Sequence, residues 1–393
     1  MRRPGASLER SGYRMAKGQT GEIDAEMDRR LMAVALRFGR RNLGSTAPAP
    51  SVGALVVGMD GGEAVILGRG TTSVGGKPHA EIEALAMAGE LARGATVYST
   101  LEPSPDPVDG VSDAQALIAA GVARVVSALE SPDPRLAGRG HAQLRDAGIT
   151  VTTGVLGEDA RRLLAGPISV HTHGRPHITL KLAVSADGMI GRVAGERMLV
   201  SGREAFARLQ TMRIEADATL IGIGTALVDD PSLTVRVPGL TAHSPIRVVL
   251  DTQARLSPRS SLVKSAADTA LWVVCSTEAP LANREALMAA GVELLPVGTG
   301  SGGVDIEAAM RLLAERGVTR LLAEGGAKVA ASLLGRGLLD EVVLFHAPVV
   351  VGPDGVRALA GGALSAIERS PRFRRVEESR LGEDRMVRYE RAV

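Results

Sequence analysis

Cysteine is nearly absent. The single thiol in 393 residues, Cys275, lies in the apolar run ALWVVCST, so a disulfide framework is excluded and the residue reads as a core thiol in a reducing, cytoplasmic compartment. Aromatic residues are equally scarce, with four Phe, three Tyr and one Trp, which leaves Ala, Val, Leu and Ile to build the core. A formal net charge of +2 gives no basic surface for wrapping nucleic acid, and no long run of like charge appears. Any anion is therefore held at a local site. No uninterrupted stretch of about 18 apolar residues exists to span a bilayer, and the N-terminus MRRPGASLERSGYRMAKGQTGE has no apolar signal segment. Residues 1–22 are expected to form a flexible tail.

Glycine is plentiful, at 47 residues, and it punctuates alternating helical and strand-like patterns. The length suits two domains, each with its own core. Met27, Leu31, Ala35 and Phe38 recur at three- and four-residue steps and predict a helix over 25–42. SVGALVVGMDGGEAVILGRG predicts two strands joined at Asp60-Gly61-Gly62. Helices over 80–91, 112–119 and 140–147 then alternate with strands over 95–101, 123–129 and 149–153, the pattern of a three-layer α/β domain with crossover helices. The alternation lapses at LLAGPISVHTHGRPH, so residues 169–176 are expected as a linker between a first domain, 23–168, and a second, 177–393. Strands are predicted in the second domain at 178–185, 218–223, 246–251, 270–275, 320–323 and 341–345, with a β-like C-terminal tail. His171 and His173 lack a third ligand at a fixed offset and read as solvated linker residues.

Two stretches point to chemistry. In PHAE, followed some twenty residues later by TLEP, His79 and Glu81 have the H-x-E spacing of zinc-dependent base deamination. That reaction needs one imidazole and two thiolates on the metal, and a carboxylate to move protons. The thiolates do not follow. Further on, Gly222 and Gly224 end an apolar strand, and Gly325-Gly326 separate RLLAE from the helical AKVAASLLGRG. Backbone N–H groups at such helix starts favour phosphate, although neither stretch is the G-x-G-x-x-G fingerprint.

The segments PHAE, GATVYSTLEP, ALIAAGVARVV, AGRGHAQLRDAGI, LKLAVSADG, LVDDPSLTVR and LAEGGA stand in a specific order and spacing. From about Glu26 onward the chain thereby resembles the bifunctional riboflavin-biosynthesis deaminase/reductases. The resemblance implies a cytidine-deaminase-like three-layer domain followed by a dihydrofolate-reductase-like reductase domain. Within the first, the family's two thiolate positions fall on Ser104 and Asp113, its substrate-loop Asn on Ala49, and a further His on Thr72. A harder site of His79 with Asp106, Asp109 or Asp113 is conceivable. Four changed polar positions in one pocket favour a degenerate site without zinc, in which His79 and the former proton carrier Glu81 are vestigial.

For the second domain the resemblance implies an NADPH site lined by Ala183, Leu199, Thr225, Asp229, Gly325 and Gly326. It implies a phosphoribosylaminopyrimidine substrate met by Arg197, Arg213, Leu233, Arg236 and Glu324, with guanidinium groups suited to phosphate. Lys181, Asp229 and Glu324 are the candidates for catalysis; the proton donor is expected to be Asp229 or Glu324, between which the sequence does not choose. Lys181 and Asp187 in LKLAVSADG match the family, whereas its Ser-x-Trp-Ile-Thr segment reads RMLVSG, with Arg197 and Leu199 at the Ser and Trp positions. The expected activity is NADPH-dependent reduction of 5-amino-6-(5-phosphoribosylamino)uracil to the ribitylamino product. A homo-oligomer is expected, with the first domain retained for packing. The rival readings are a fully bifunctional enzyme with atypical metal ligands and a nucleotide-binding pseudoenzyme without turnover.

Overall fold

The structure is a computed structural model that describes residues 25–107, 110–192, 200–300 and 302–392. The expected tail, 1–22, lies outside them. The chain forms two compact units, one containing residues 25–42 and Ala49–Leu164, the other Leu43–Pro48 and the chain from Ala165 onward.

In the first unit the sheet order is Glu63–Thr71, Gly53–Asp60, Thr96–Ser99, Arg124–Ser127, Thr150–Thr153. The first pair is an antiparallel hairpin closed by Gly61 and Gly62, both at positive φ, where glycine carries no Cβ penalty. The last three strands run parallel to one another, as the alternating helices require. Helix Ala80–Ala88 rests directly on the hairpin because two positions there have no side chain. A Cβ on Gly68 would lie 2.1 Å from the Ala84 carbonyl oxygen, and one on Gly70 2.0 Å from that of Ala80. This close backbone approach carries Glu81 to the end of the central strand Thr96–Ser99.

The second unit holds a nine-stranded sheet in the order Glu293–Val297, Leu271–Ser276, Ile246–Leu250, Ala218–Gly222, Arg320–Ala323, His177–Val184, Glu341–His346, Asp384–Arg391, Phe373–Leu381. All strands are parallel up to Glu341–His346, and the closing pair is antiparallel. Along His177–Val184 burial alternates strictly. Ile178, Leu180, Leu182 and Val184 enter the main core. Ala183, on the other face, packs with Ala205, Leu209 and Met212 of helix Arg203–Ile214. The helix thus covers the sheet face that carries Lys181.

Two expectations are corrected. The stretch 169–176, expected as an irregular linker, is helical as far as His173, within helix Ala165–His173; Pro167 sits in the first turn, where its missing N–H is tolerated. His171 and His173, two residues apart on that helix, face different sides and form no joint metal site. The strand Glu293–Val297 was not expected, because Pro296 interrupts it; it lies at the sheet edge, where proline is accommodated. Among the described residues no helix is long and apolar enough to cross a membrane.

Candidate active sites

The chain leaves strand Ala218–Gly222 outward through three more strands. It then returns to insert Arg320–Ala323 between Ala218–Gly222 and His177–Val184. The strand order reverses there, and ligands of open α/β sheets bind at the carboxyl ends of strands at such a point. Glu324 follows directly, its N–H donating to the Leu220 carbonyl. Its carboxylate accepts from Arg213 Nε at 2.6 Å, Arg213 Nη2 at 2.7 Å and Thr219 Oγ1 at 2.8 Å. The register that pairs Ala323 with Leu180 sets Glu324 beside Lys181, whose Nζ lies 5.4 Å from the centroid of the Phe345 ring. Burial depresses the Lys181 ammonium below the ordinary lysine value, opposed by the nearby Glu324 charge. Burial pushes Glu324 the other way, but the Arg213 guanidinium and Lys181 outweigh it and hold the carboxyl below its ordinary value. Three sequence candidates therefore lie together, the buried Arg213–Glu324 pair and the half-buried Lys181 beside it.

The glycine turn lies at the end of the same strand. Gly325 and Gly326 adopt φ of 115° and 89°, and a Cβ on Gly326 would stand 2.8 Å from Thr225 Oγ1. Helix Ala327–Gly335 begins there without a side-chain cap, so its leading N–H groups suit an anionic group. A cradle that any side chain would fill fits the pyrophosphate of a nicotinamide dinucleotide. Ala183 is half-buried on the Lys181 face, and Asp229 is the half-buried last residue of helix Ile223–Asp229. Leu233 is buried at φ 55°, and Arg236 is exposed, its Nη2 donating to Ser232 Oγ at 2.8 Å. Arg197 and Leu199 lie outside the described residues. Asp187 accepts from Ser185 Oγ and from the N–H groups of Gly352 and Val351, which hold its carboxyl at about 2; it fastens a turn. Thr219 escaped sequence reasoning, since a threonine inside an apolar strand carries no local signal.

In the first unit the H-x-E pair belongs to a polar cluster. His79 Nδ1 lies 2.7 Å from Asp113 Oδ2, and the same oxygen accepts from the Ser104 N–H at 3.2 Å. Of the two positions where the family has thiolates, Asp113 thus meets His79 directly, and Ser104 reaches the pair only through its backbone N–H, its hydroxyl pairing with the Asp106 backbone. Asp113 opens helix Asp113–Ala120, which Ser112 and Gln115 cap reciprocally, and the helix dipole favours its charge. The hydrogen bond to Asp113 raises the His79 imidazole above its ordinary value. Glu81 is fully buried and accepts from Ser99 Oγ at 2.5 Å. Burial, and next the charge of Asp113, push its carboxyl up to about 7. Zinc held between imidazole and carboxylate at usual bond lengths separates the two ligand atoms by about 3.4 Å. The observed pair is a hydrogen bond, and the donor set of imidazole, carboxylate and hydroxyl contains no thiolate. These residues do not fit the zinc site that the H-x-E motif implies.

Other candidates fall away. Asp106 is exposed and pairs with Arg139 at 3.1 Å, Asp109 lies outside the described residues, and Thr72 is buried as the acceptor for the Val52 N–H. Among the described residues Glu102, Glu130 and His141 could share an ion. Glu102, however, already accepts from the N–H groups of Ser131, Gly138 and His141, and His141 Nε2 lies 2.8 Å from Ser127 Oγ. That cluster holds a loop.

A cytidine-deaminase-like domain followed by a dihydrofolate-reductase-like domain defines the class as a two-domain deaminase/reductase. Comparison with known proteins agrees. Residues 176–387 match the RibD C-terminal domain, and residues 25–129 match the cytidine and deoxycytidylate deaminase zinc-binding region. The riboflavin biosynthesis protein RibD of Aquifex aeolicus is 36% identical over 367 residues, covering 93% of this chain and 99% of the relative. That of Escherichia coli is 35% identical over 370 residues, covering 91% and 97%. Acinetobacter baumannii RibD superposes with a TM-score of 0.82 at 30% identity, covering 94% of this chain and 100% of that one. The diaminohydroxyphosphoribosylaminopyrimidine deaminase/5-amino-6-(5-phosphoribosylamino)uracil reductase of Thermotoga maritima does so at 0.80 and 29%, covering 94% and 99%. The chain belongs to the RibD family of riboflavin-biosynthesis proteins, enzymes that join a deaminase domain to a reductase domain.

Proposed function

We propose that the working activity is the NADPH-dependent reduction of 5-amino-6-(5-phosphoribosylamino)uracil to 5-amino-6-(5-phosphoribitylamino)uracil, and that the deaminase step has been lost. The observation that carries the reading is a contrast between sites. The reductase site brings a half-buried lysine, an ionised carboxylate and an uncapped glycine turn together, whereas the deaminase site offers a His79–Asp113 ion pair where a metal would sit.

NADPH, when bound, supplies the hydride. Gly325 and Gly326 would hold its pyrophosphate, with Ala183, Thr225 and Asp229 lining the site and Leu199 expected beside it. Arg236 takes the substrate phosphate, with Arg197 expected to contribute, and Leu233, buried in the core, fixes the backbone of the segment that meets the substrate. Arg213 is committed to Glu324 and to the Thr234 carbonyl, at 2.7 Å, so it serves the substrate by fixing these groups. As the ribose opens, the exocyclic nitrogen lone pair forms a C=N bond and the C1–ring oxygen bond breaks. Lys181 gives its proton to that oxygen, and its depressed pKa makes it the stronger acid. Glu324 stays ionised and holds Lys181 and Arg213 in place. Reduction at C1 would complete the secondary amine, and Lys181 regains a proton from solvent. The sum is one hydride and one proton.

Purified protein should oxidise NADPH with the deaminated substrate. With the amino precursor it should release no ammonia and oxidise nothing until a zinc-holding deaminase is added. Ammonia release with stoichiometric zinc would establish the bifunctional reading instead, and failure to oxidise NADPH would establish the pseudoenzyme. Lys181→Met should lower kcat by about 100-fold or more in the same assay.

A further inference from the structure

The segment Ser232–Arg236 carries the proposed substrate contact Arg236, yet it belongs to no strand or helix. An irregular segment must satisfy its backbone polar groups elsewhere, and here side chains from three other parts of the fold do so. The Ser232 carbonyl accepts from Arg247 Nη1 at 3.4 Å, and that of Thr234 from Arg213 Nη1 at 2.7 Å. The Val235 N–H donates to Ser244 Oγ at 3.0 Å. The Arg236 N–H donates to Gln210 Oε1 at 2.6 Å, the shortest of the four. Leu233 has φ 55°, a conformation that persists only where the surroundings over-determine it.

Gln210 is 2% exposed and lies three residues before Arg213 on helix Arg203–Ile214, so the two face the same way. Its Nε2 is buried without a hydrogen-bond partner. Leucine or methionine would fill that place in the core without burying an orphaned donor. The retained amide therefore points to the one bond it does make.

We infer that Gln210 is a positioning residue for substrate binding, acting through the backbone N–H of Arg236 to aim the guanidinium at the substrate phosphate. The inference rests on the reading of Arg236 as a substrate contact. The interaction persists equally in ground and transition states, so its loss raises KM and leaves kcat alone.

Steady-state kinetics on the full chain test this. Gln210→Leu should raise KM for the deaminated substrate about tenfold, with kcat and the KM for NADPH each within about twofold of wild type. Gln210→Glu retains the accepting oxygen and should restore KM. A merely structural role would move both KM values and kcat together, and the glutamate would not rescue. Should Gln210→Leu fail to fold, Ser244→Ala removes the adjacent tether and should raise the same KM by about threefold. Arg236→Ala separates the two ideas. A raised KM in that variant with an unchanged KM in Gln210→Leu overturns the inference alone. An unchanged KM in Arg236→Ala overturns the substrate-site reading on which it rests.

Discussion

Glu81 is a buried carboxylate, and its burial has a thermodynamic consequence. Its folded value of about 7 stands above the ordinary 4.5. The stabilising contribution is therefore complete below about pH 4.5 and is lost as pH rises through about 7. The raised value of His79 works in the same direction, since loss of its second proton turns the ion pair with Asp113 into a weaker, neutral-donor hydrogen bond. Glu81→Gln should gain stability relative to wild type across that window, by on the order of 3 kcal/mol at its upper end. Urea unfolding at a series of pH values checks it; parallel curves would mean the carboxyl does not titrate there. At Gly326, alanine would meet Thr225 Oγ1 and strain a left-handed φ. Gly326→Ala should weaken NADPH about tenfold or more, read by fluorescence titration, with little change in fold by circular dichroism.

Among elements, the most consequential join is the one between helix Arg203–Ile214 and the strand that ends at Glu324. Arg213 and Glu324 are both buried, so removing one partner leaves a charge alone. Arg213→Met should cost about 3–5 kcal/mol in chemical denaturation, and Arg213→Met with Glu324→Gln should recover much of it. Apolar runs and glycine turns made most strands and helices legible in the sequence, and the H-x-E pair marked the first site. What stayed hidden depends on spatial neighbours. Arg213 and Glu324 are 111 residues apart, and only the insertion of Arg320–Ala323 into the sheet brings them together. Thr219 and Gln210 gave no local signal for the same reason. The His79–Asp113 contact was harder still to foresee, because motif spacing put Asp113 where the family has a thiolate but gave no sign of its pairing with His79. Pro296 hid an edge strand, and Gly166-Pro167 disguised the start of a helix.

At the scale of the whole molecule, each compact unit has its own sheet. Calorimetry should therefore resolve more than one unfolding transition. NADPH at about a hundred times its dissociation constant should stabilise only the reductase transition, by about 2.7 kcal/mol. A single transition shifted as a whole would show the units unfolding together. Cys275, the one thiol of the chain, is wholly buried, and burial raises its pKa further. Peroxide and alkylating reagents attack the exposed thiolate form, so the native enzyme should need no reductant in storage. A cysteine engineered on either unit would take up a maleimide dye alone, which opens this protein to site-specific fluorescence without first deleting any native side chain.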